Sequence, residues 1–157
     1  MRVGIGFDVH PFQQGRPLVL GGVTIPHEAG LGGHSDADVL VHALMDALLG
    51  AAAQGDIGLH FPPDDPRFRD ADSLDLLRQT VRLVKDAGYE VVNVDATVVA
   101  ERPMLSPHIL SMRSSLAGGL GIEVDAVSVK ATTADRLGAI GRGEGIAALA
   151  VALLDSS

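Results

Sequence analysis

Three stretches of the 157-residue chain hold side chains that could do chemistry together. The first is Asp8-Val9-His10. In a strand, residues 8 and 10 project to the same side. A carboxylate and an imidazole would then converge, a donor pair suited to a borderline cation such as zinc. The pair equally fits a solvated strand end. His42 lies beside the apolar stripe of a helix and could supply a third ligand, or could be a satisfied core histidine. Asp46, one turn later, is spaced to hold the other nitrogen of His42, or to be a solvated helix charge. The second stretch, His34-Ser35-Asp36, opens that helix, where free N–H groups and the dipole favour an anion. His34 could hydrogen-bond a phosphate there, and Ser35 reads as the N-cap. The third stretch is Lys130-Ala131-Thr132-Thr133-Ala134-Asp135-Arg136, followed by Arg142 within Gly141-Arg142-Gly143-Glu144-Gly145. Cations gather near glycine only here, although a turn with a solvated salt bridge explains the pattern as well. No Gly-Lys-Ser/Thr is present, so this is not a P-loop, and Gly4-x-Gly6 lacks the third glycine of a dinucleotide fingerprint.

The elements that must position these residues follow from periodicity. Val3, Ile5 and Phe7 alternate with Gly4 and Gly6 as in a strand. Leu18 to Leu20, Gly21-Gly22 and Val23 to Ile25 read as a hairpin. Val39, Leu40, Ala43, Leu44, Ala47 and Leu48 form a helical stripe. Residues 56 to 72 form a loop with three prolines and five aspartates, long enough to be functional. Ser73 reads as the cap of a second helix that stops at Gly88, and Val91 to Ala100 is a β-branched strand. Ser106-Pro107 starts a third helix, and Val127 to Thr132 is another strand. The tail from Ile146 to Leu154 fits either a helix or a buried strand, and periodicity does not decide between them. The order predicts a single α+β domain over residues 1–157. Its expected core is a mixed four-stranded sheet with helices packed on one face, plus a small hairpin.

Composition narrows the function. Twelve basic against twenty acidic residues give a net charge of −8, the wrong balance for a general nucleic-acid binder. One tyrosine, four phenylalanines and no tryptophan leave no base-stacking platform. With no cysteine, thiol catalysis, disulfides and cysteine zinc sites are excluded. Met1 to His10 does not read as a signal peptide, since Asp8 interrupts it. No apolar stretch approaches the roughly 20 residues of a membrane span. The expectation is a soluble cytoplasmic protein without nucleic-acid or membrane partners.

Taken in order, the segments resemble the 2-C-methyl-D-erythritol 2,4-cyclodiphosphate synthase family of isoprenoid biosynthesis. The matching stretches are Gly6-Phe7-Asp8-Val9-His10, His34-Ser35-Asp36-Ala37-Asp38, His42-Ala43-Leu44, Asp46 to Ala52, Gly55-Asp56-Ile57-Gly58, Phe61-Pro62, Lys130-Ala131-Thr132-Thr133 and Gly141 to Ala147. They run through nearly the whole chain with almost no gaps. The resemblance implies cyclisation of a cytidine diphosphate ester of methylerythritol 2-phosphate, with release of CMP. It further implies that Asp8, His10 and His42 bind zinc, and that Asp135 coordinates Mg or Mn at the diphosphate, where the family often has Glu. His34 and Thr133 would steady the transition state. Substrate contacts would come from Asp8, His10, His34, Ser35, Asp56, Ile57, Gly58 and Phe61. Of these, Asp56 and Gly58 would face the methylerythritol. The loop from Ala100 to Ser106, with Arg102, Pro103, Met104 and Leu105, would hold the cytidine together with Thr132, and Thr133, Asp135 and Arg142 would be further substrate contacts. The implied assembly is a homotrimer around a central β wall with sites between subunits, and the tail is implied to be a strand. Three positions depart from the family pattern. Met104 stands where lysine is common, Pro63 follows Phe61-Pro62 in place of aspartate, and Ala139 stands where a relative can have phenylalanine. Other readings are a two-metal phosphohydrolase, a trimer that binds prenyl diphosphates around Arg142 without catalysis, and a structural oligomer with no ligand.

Overall fold

The computed structural model describes residues 1–157. Its main sheet has five strands, not the expected four. They are β1 (Arg2–Gln13), β4 (Gly30–Leu31), β5 (Tyr89–Val99), β6 (Val127–Thr132) and β7 (Gly145–Ser156). β2 (Leu18–Leu20) and β3 (Val23–Ile25) form the expected hairpin. The sheet order is β4-β1-β7-β5-β6. The fifth strand is the two-residue β4, which pairs with Phe12 and Gln13 where β1 runs past the main ladder. Central β7 is antiparallel to β1 and β5, and β6 is parallel to β5. The C-terminal ends of β1, β5 and β6 therefore lie at one end of the sheet.

Three longer helices, α1 (Val39–Ala51), α3 (Ser73–Asp86) and α4 (Ile109–Leu120), cover one face, with one-turn helices α2 (Ile57–His60) and α5 (Gly138–Gly141) in the connections. α1 is buried nearly all round, lying on β1 and β7 beneath α3. Glycine in β1 makes that approach possible. A Cβ at Gly4 would lie 2.0 Å from the Ala47 carbonyl oxygen, and one at Gly6 would lie 1.8 Å from that of Ala43. Both are far inside van der Waals contact, so only a bare backbone fits under the helix.

The first helix starts later than expected. Ser35 does not cap it; its hydroxyl accepts from Ala37 N–H at 3.2 Å. Ala37 has φ +57°, which turns the chain before the helix begins at Val39. The cap is Asp38, fully buried, which accepts from Val41 N–H and also from Gly21 and Gly22 N–H. That carboxylate ties the hairpin turn to α1; burial pushes it up to about 6, against the pull of its backbone donors. Similarly, Asp72 rather than Ser73 caps α3, its side chain accepting from Leu74 N–H, and Ser106-Pro107 forms a 3₁₀ turn before α4.

The opposite face of the sheet carries no helix. Val3, Ile5 and Phe7 are 69%, 72% and 57% exposed there, beside Leu149 and Val151 of the neighbouring strand. This apolar surface is larger than isolated exposed side chains would produce.

Candidate metal centre and substrate pockets

Asp8, His10 and His42 come together at the end of β1. One ligand atom from each lies within 4.8 Å of the others. His10 Nε2 is 2.7 Å and His42 Nδ1 3.2 Å from Asp8 Oδ2. The strand alternation places Asp8 beside His10, and the close seating of α1 on Gly4 and Gly6 carries His42 to them. The loop after β4 wraps the other side of His10, whose Nδ1–H donates to the Gly32 carbonyl at 2.7 Å. With Nδ1 committed, Nε2 can face the Asp8 carboxylate only with a second proton or across a shared cation. Burial opposes charge on both groups. The histidines beside it, His10 above all, nevertheless pull Asp8 down to about 2, while Asp8 raises His10.

The donor set fits a divalent metal. It offers one carboxylate oxygen and two imidazole nitrogens, and the remaining nitrogen of each histidine faces a protein partner. For His42 that partner is not Asp46, which instead accepts from Ile57 N–H at 2.9 Å and steadies the start of α2. His42 Nε2 lies 3.2 Å from Ser35 Oγ and 3.1 Å from Ser73 Oγ. Nothing in the residue types marks Ser73 for this role, because a serine at a helix start already has a structural reason to be there.

The metal set opens into a cavity of about 210 Å³ lined also by His34, Ser35, Ile57, Gly58 and Phe61, all expected site residues. Met45, Phe68 and Leu76 add apolar walls that sequence reasoning did not assign to the site. His34 Nε2–H donates to the Asp65 carbonyl at 2.9 Å, tying the ring to the long loop. Asp56 does not line this cavity; its side chain caps α2, accepting from Leu59 N–H.

A second, larger pocket of about 730 Å³ opens at the ends of β5 and β6. Ala100, Arg102, Pro103, Met104, Leu105, Ser106, Thr132 and Thr133 line it, together with His27, Glu28 and Glu101. Glu101 was not singled out from sequence, yet it accepts from the N–H groups of Ala134 and Arg136. It thereby holds the turn in which Asp135 and Arg136 both have positive φ. Asp135 is exposed just beyond Thr133 and lines neither pocket. Lys130 pairs with Asp95 on the sheet face, and this pairing lowers the Asp95 carboxyl. Arg142 pairs with Glu144 at 2.5 Å and lines a third depression, which none of Asp8, His10 and His42 lines. The two main pockets share no residue, and in the strand order β7 separates β1 from β5 and β6. At about 4.8 Å per strand, β1 and β6 are on the order of 14 Å apart. One chain thus presents the metal set and the Thr132-Thr133 pocket as two separate surfaces.

The model of the YgbB family matches residues 1–155, and the chain belongs to this family. Curated relatives carry the name 2-C-methyl-D-erythritol 2,4-cyclodiphosphate synthase. That of Laribacter hongkongensis is 61% identical over 99% of this chain and 96% of its own length. The Pseudomonas aeruginosa protein is 62% identical over 98% of both chains. Among solved structures, the bifunctional IspDF of Campylobacter jejuni superposes with a TM-score of 0.96 at 45% identity. That match covers 99% of this chain but only 42% of the bifunctional one. A 2C-methyl-D-erythritol-2,4-cyclodiphosphate synthase in its CDP-bound form gives a TM-score of 0.90 at 39% identity, covering 98% of this chain and all of that one.

Proposed function

We infer that this chain is an enzyme of isoprenoid precursor synthesis. It converts 4-diphosphocytidyl-2-C-methyl-D-erythritol 2-phosphate to 2-C-methyl-D-erythritol 2,4-cyclodiphosphate and CMP. The observation that carries the reading is the convergence of Asp8, His10 and His42 in a chain 61% identical, end to end, to synthases of that name.

In the reaction an oxygen of the 2-phosphate attacks the phosphorus nearer the methylerythritol. A P–O bond forms there, the P–O bond to the cytidine phosphate breaks, and CMP leaves with that electron pair. The attacking phosphate is already on the substrate, so holding the chain folded back is most of the catalytic task. Ile57, Gly58 and Phe61 are the proposed seat of the methylerythritol. His34 Nε2–H is tied to the Asp65 carbonyl in the free chain and would turn to a phosphate oxygen. The proposed cytidine seat is the loop 100–106, with Thr132 beside it. Thr133 would donate its hydroxyl to the migrating negative charge.

Zinc is the proposed ion at Asp8, His10 and His42, where a bound divalent cation would neutralise phosphate charge that an acidic protein cannot. Asp135, an oxygen donor on an exposed turn, is the proposed holder of Mg or Mn. Separation of the two pockets in one chain, and the bare apolar sheet face, support a homotrimer. In it, the metal cavity of one subunit would meet the 100–106 pocket of its neighbour. No helix is long and apolar enough to cross a membrane, and the proposed location is the cytoplasm.

The test is ³¹P NMR of the products with metal analysis of the purified protein. Cyclic diphosphate plus CMP is expected, lost in a folded His42→Ala protein that holds less than one zinc per chain. Linear phosphate products would instead establish a phosphohydrolase.

A further inference from the structure

Asp36 and Ser73 have no part in the reaction described so far, yet both are tied to His42. Ser73 is fully buried at the first position of α3, far along the chain from the metal ligands. Asp36 accepts from Ser73 N–H at 3.0 Å through Oδ2, and from the Ser73 hydroxyl through Oδ1. Oδ1 also accepts from Asp38 N–H at 3.2 Å. A carboxylate offers no proton in return. The Ser73 hydroxyl proton therefore points to Asp36, and toward His42 the serine oxygen can only accept.

That restriction decides the chemistry of the ring. A neutral imidazole carries one proton, on Nδ1 or on Nε2. Facing Ser73 at 3.1 Å, Nε2 is the nitrogen that must bear it. Nδ1 is then left as a lone pair, and it is Nδ1 that faces Asp8 in the metal set. Ser35 does not enforce the same choice. Its hydroxyl accepts from Ala37 N–H, and its own proton is free to point at Nε2. With Ser35 alone, His42 could hold its proton on Nδ1, donate it to Asp8, and have no lone pair for a metal.

We propose that Asp36 and Ser73 are positioning residues that hold His42 in its Nε2–H form and so set the metal affinity of the site. The proposal rests on Asp8, His10 and His42 being metal ligands. A carboxylate acting through one intervening hydroxyl does here what a directly bonded carboxylate does beside many metal-binding histidines.

The test uses zinc alone, without substrate. Nitrogen-15 NMR of the histidine side chains in the metal-free protein at pH 8 should show His42 as a single Nε2–H form. In Ser73→Ala a mixture with the Nδ1–H form is expected. Zinc affinity, measured by competition with a chromophoric chelator, should fall by about 10–100-fold in Ser73→Ala. Asp36→Asn should shift both readings the same way, because an amide that keeps its oxygen on the Ser73 N–H turns its NH2 to the Ser73 hydroxyl, whose own proton is then free to point at His42 Nε2. An Nδ1–H His42 in the parent protein overturns the proposal without any variant. A folded Ser73→Ala protein with unchanged tautomer, or with zinc affinity within about threefold of the parent, overturns it as well. A parent protein that takes up no zinc overturns the metal reading itself, and this inference with it.

Discussion

Replacing Gly6 with alanine tests the link between the fold and the metal set in one step. The new methyl carbon would lie 1.8 Å from the Ala43 carbonyl oxygen and 2.8 Å from Ala47 N, both backbone atoms of α1. An ordinary contact begins near 3.4 Å, so strand and helix must part by on the order of 1.6 Å. No flexible side chain is available to give way. Overpacking of a core costs about 1–3 kcal/mol, and a rigid obstacle places Gly6→Ala at or above the top of that range. For a chain of this size each kcal/mol lowers Tm by about 2–4 °C, so a fall of roughly 6–12 °C is expected. Gly6 lies two residues before Asp8, and Ala43 is next to His42. The displacement would separate the ligands by far more than the ~0.2 Å that metal bonds tolerate, and a shift of ~1 Å is enough to lower turnover on the order of 100-fold. The assays are thermal melting by circular dichroism, zinc titration and product formation, with Gly118→Ala as control. Gly118 is exposed in α4 with nothing within 4 Å of its would-be Cβ, so alanine there should stabilise by about 1 kcal/mol. Gly6→Ala protein with parental Tm and parental zinc affinity would refute the claim that bare backbone seats α1 and thereby gathers the ligands.

Three further outcomes are expected. Asp135→Asn should keep its zinc yet lose most turnover; a parallel fall in zinc content would show that the two metal roles are wrongly divided. Arg102 and Met104 line the same pocket, and Arg102 is the candidate substitute for the family's lysine. A charged hydrogen bond contributes about 1.5–3 kcal/mol, so Arg102→Ala should raise KM about tenfold or more. The rise should be smaller when Met104→Lys is present, and an additive double-mutant cycle would sink the idea. Light scattering should give a trimer mass for the parent, while Ile5→Asp, which puts a charge opposite Val151 on the bare sheet face, should be largely monomeric and inactive. Full activity in a parent protein that is monomeric at micromolar concentration would refute shared sites.

Several features were legible before any coordinates. Asp8 and His10 share a side because strand geometry has period two, and the α1 stripe and the hairpin at Gly21-Gly22 are local patterns with local causes. The partner of His42 was not. Asp46 lies at helical spacing and was the natural expectation, but α3 packs Ser73 against the ring, a contact between residues 31 apart that no spacing encodes. The tail shows the same limit from another side. β7 buries Ala148, Ala150 and Ala152 beneath α1, while Leu149 and Val151 face outward on the bare side of the sheet. With both faces apolar it shows no alternation, so its residues cannot distinguish strand from helix. Residue types and spacing determined which groups could bind a metal and which segments were extended. Only the tertiary structure decided that His42 joins Asp8 and His10, that hydroxyls hold it, and that β7 separates the metal cavity from the Thr132-Thr133 pocket. Those outcomes depend on which elements pack and pair, and packing is a property of the whole chain.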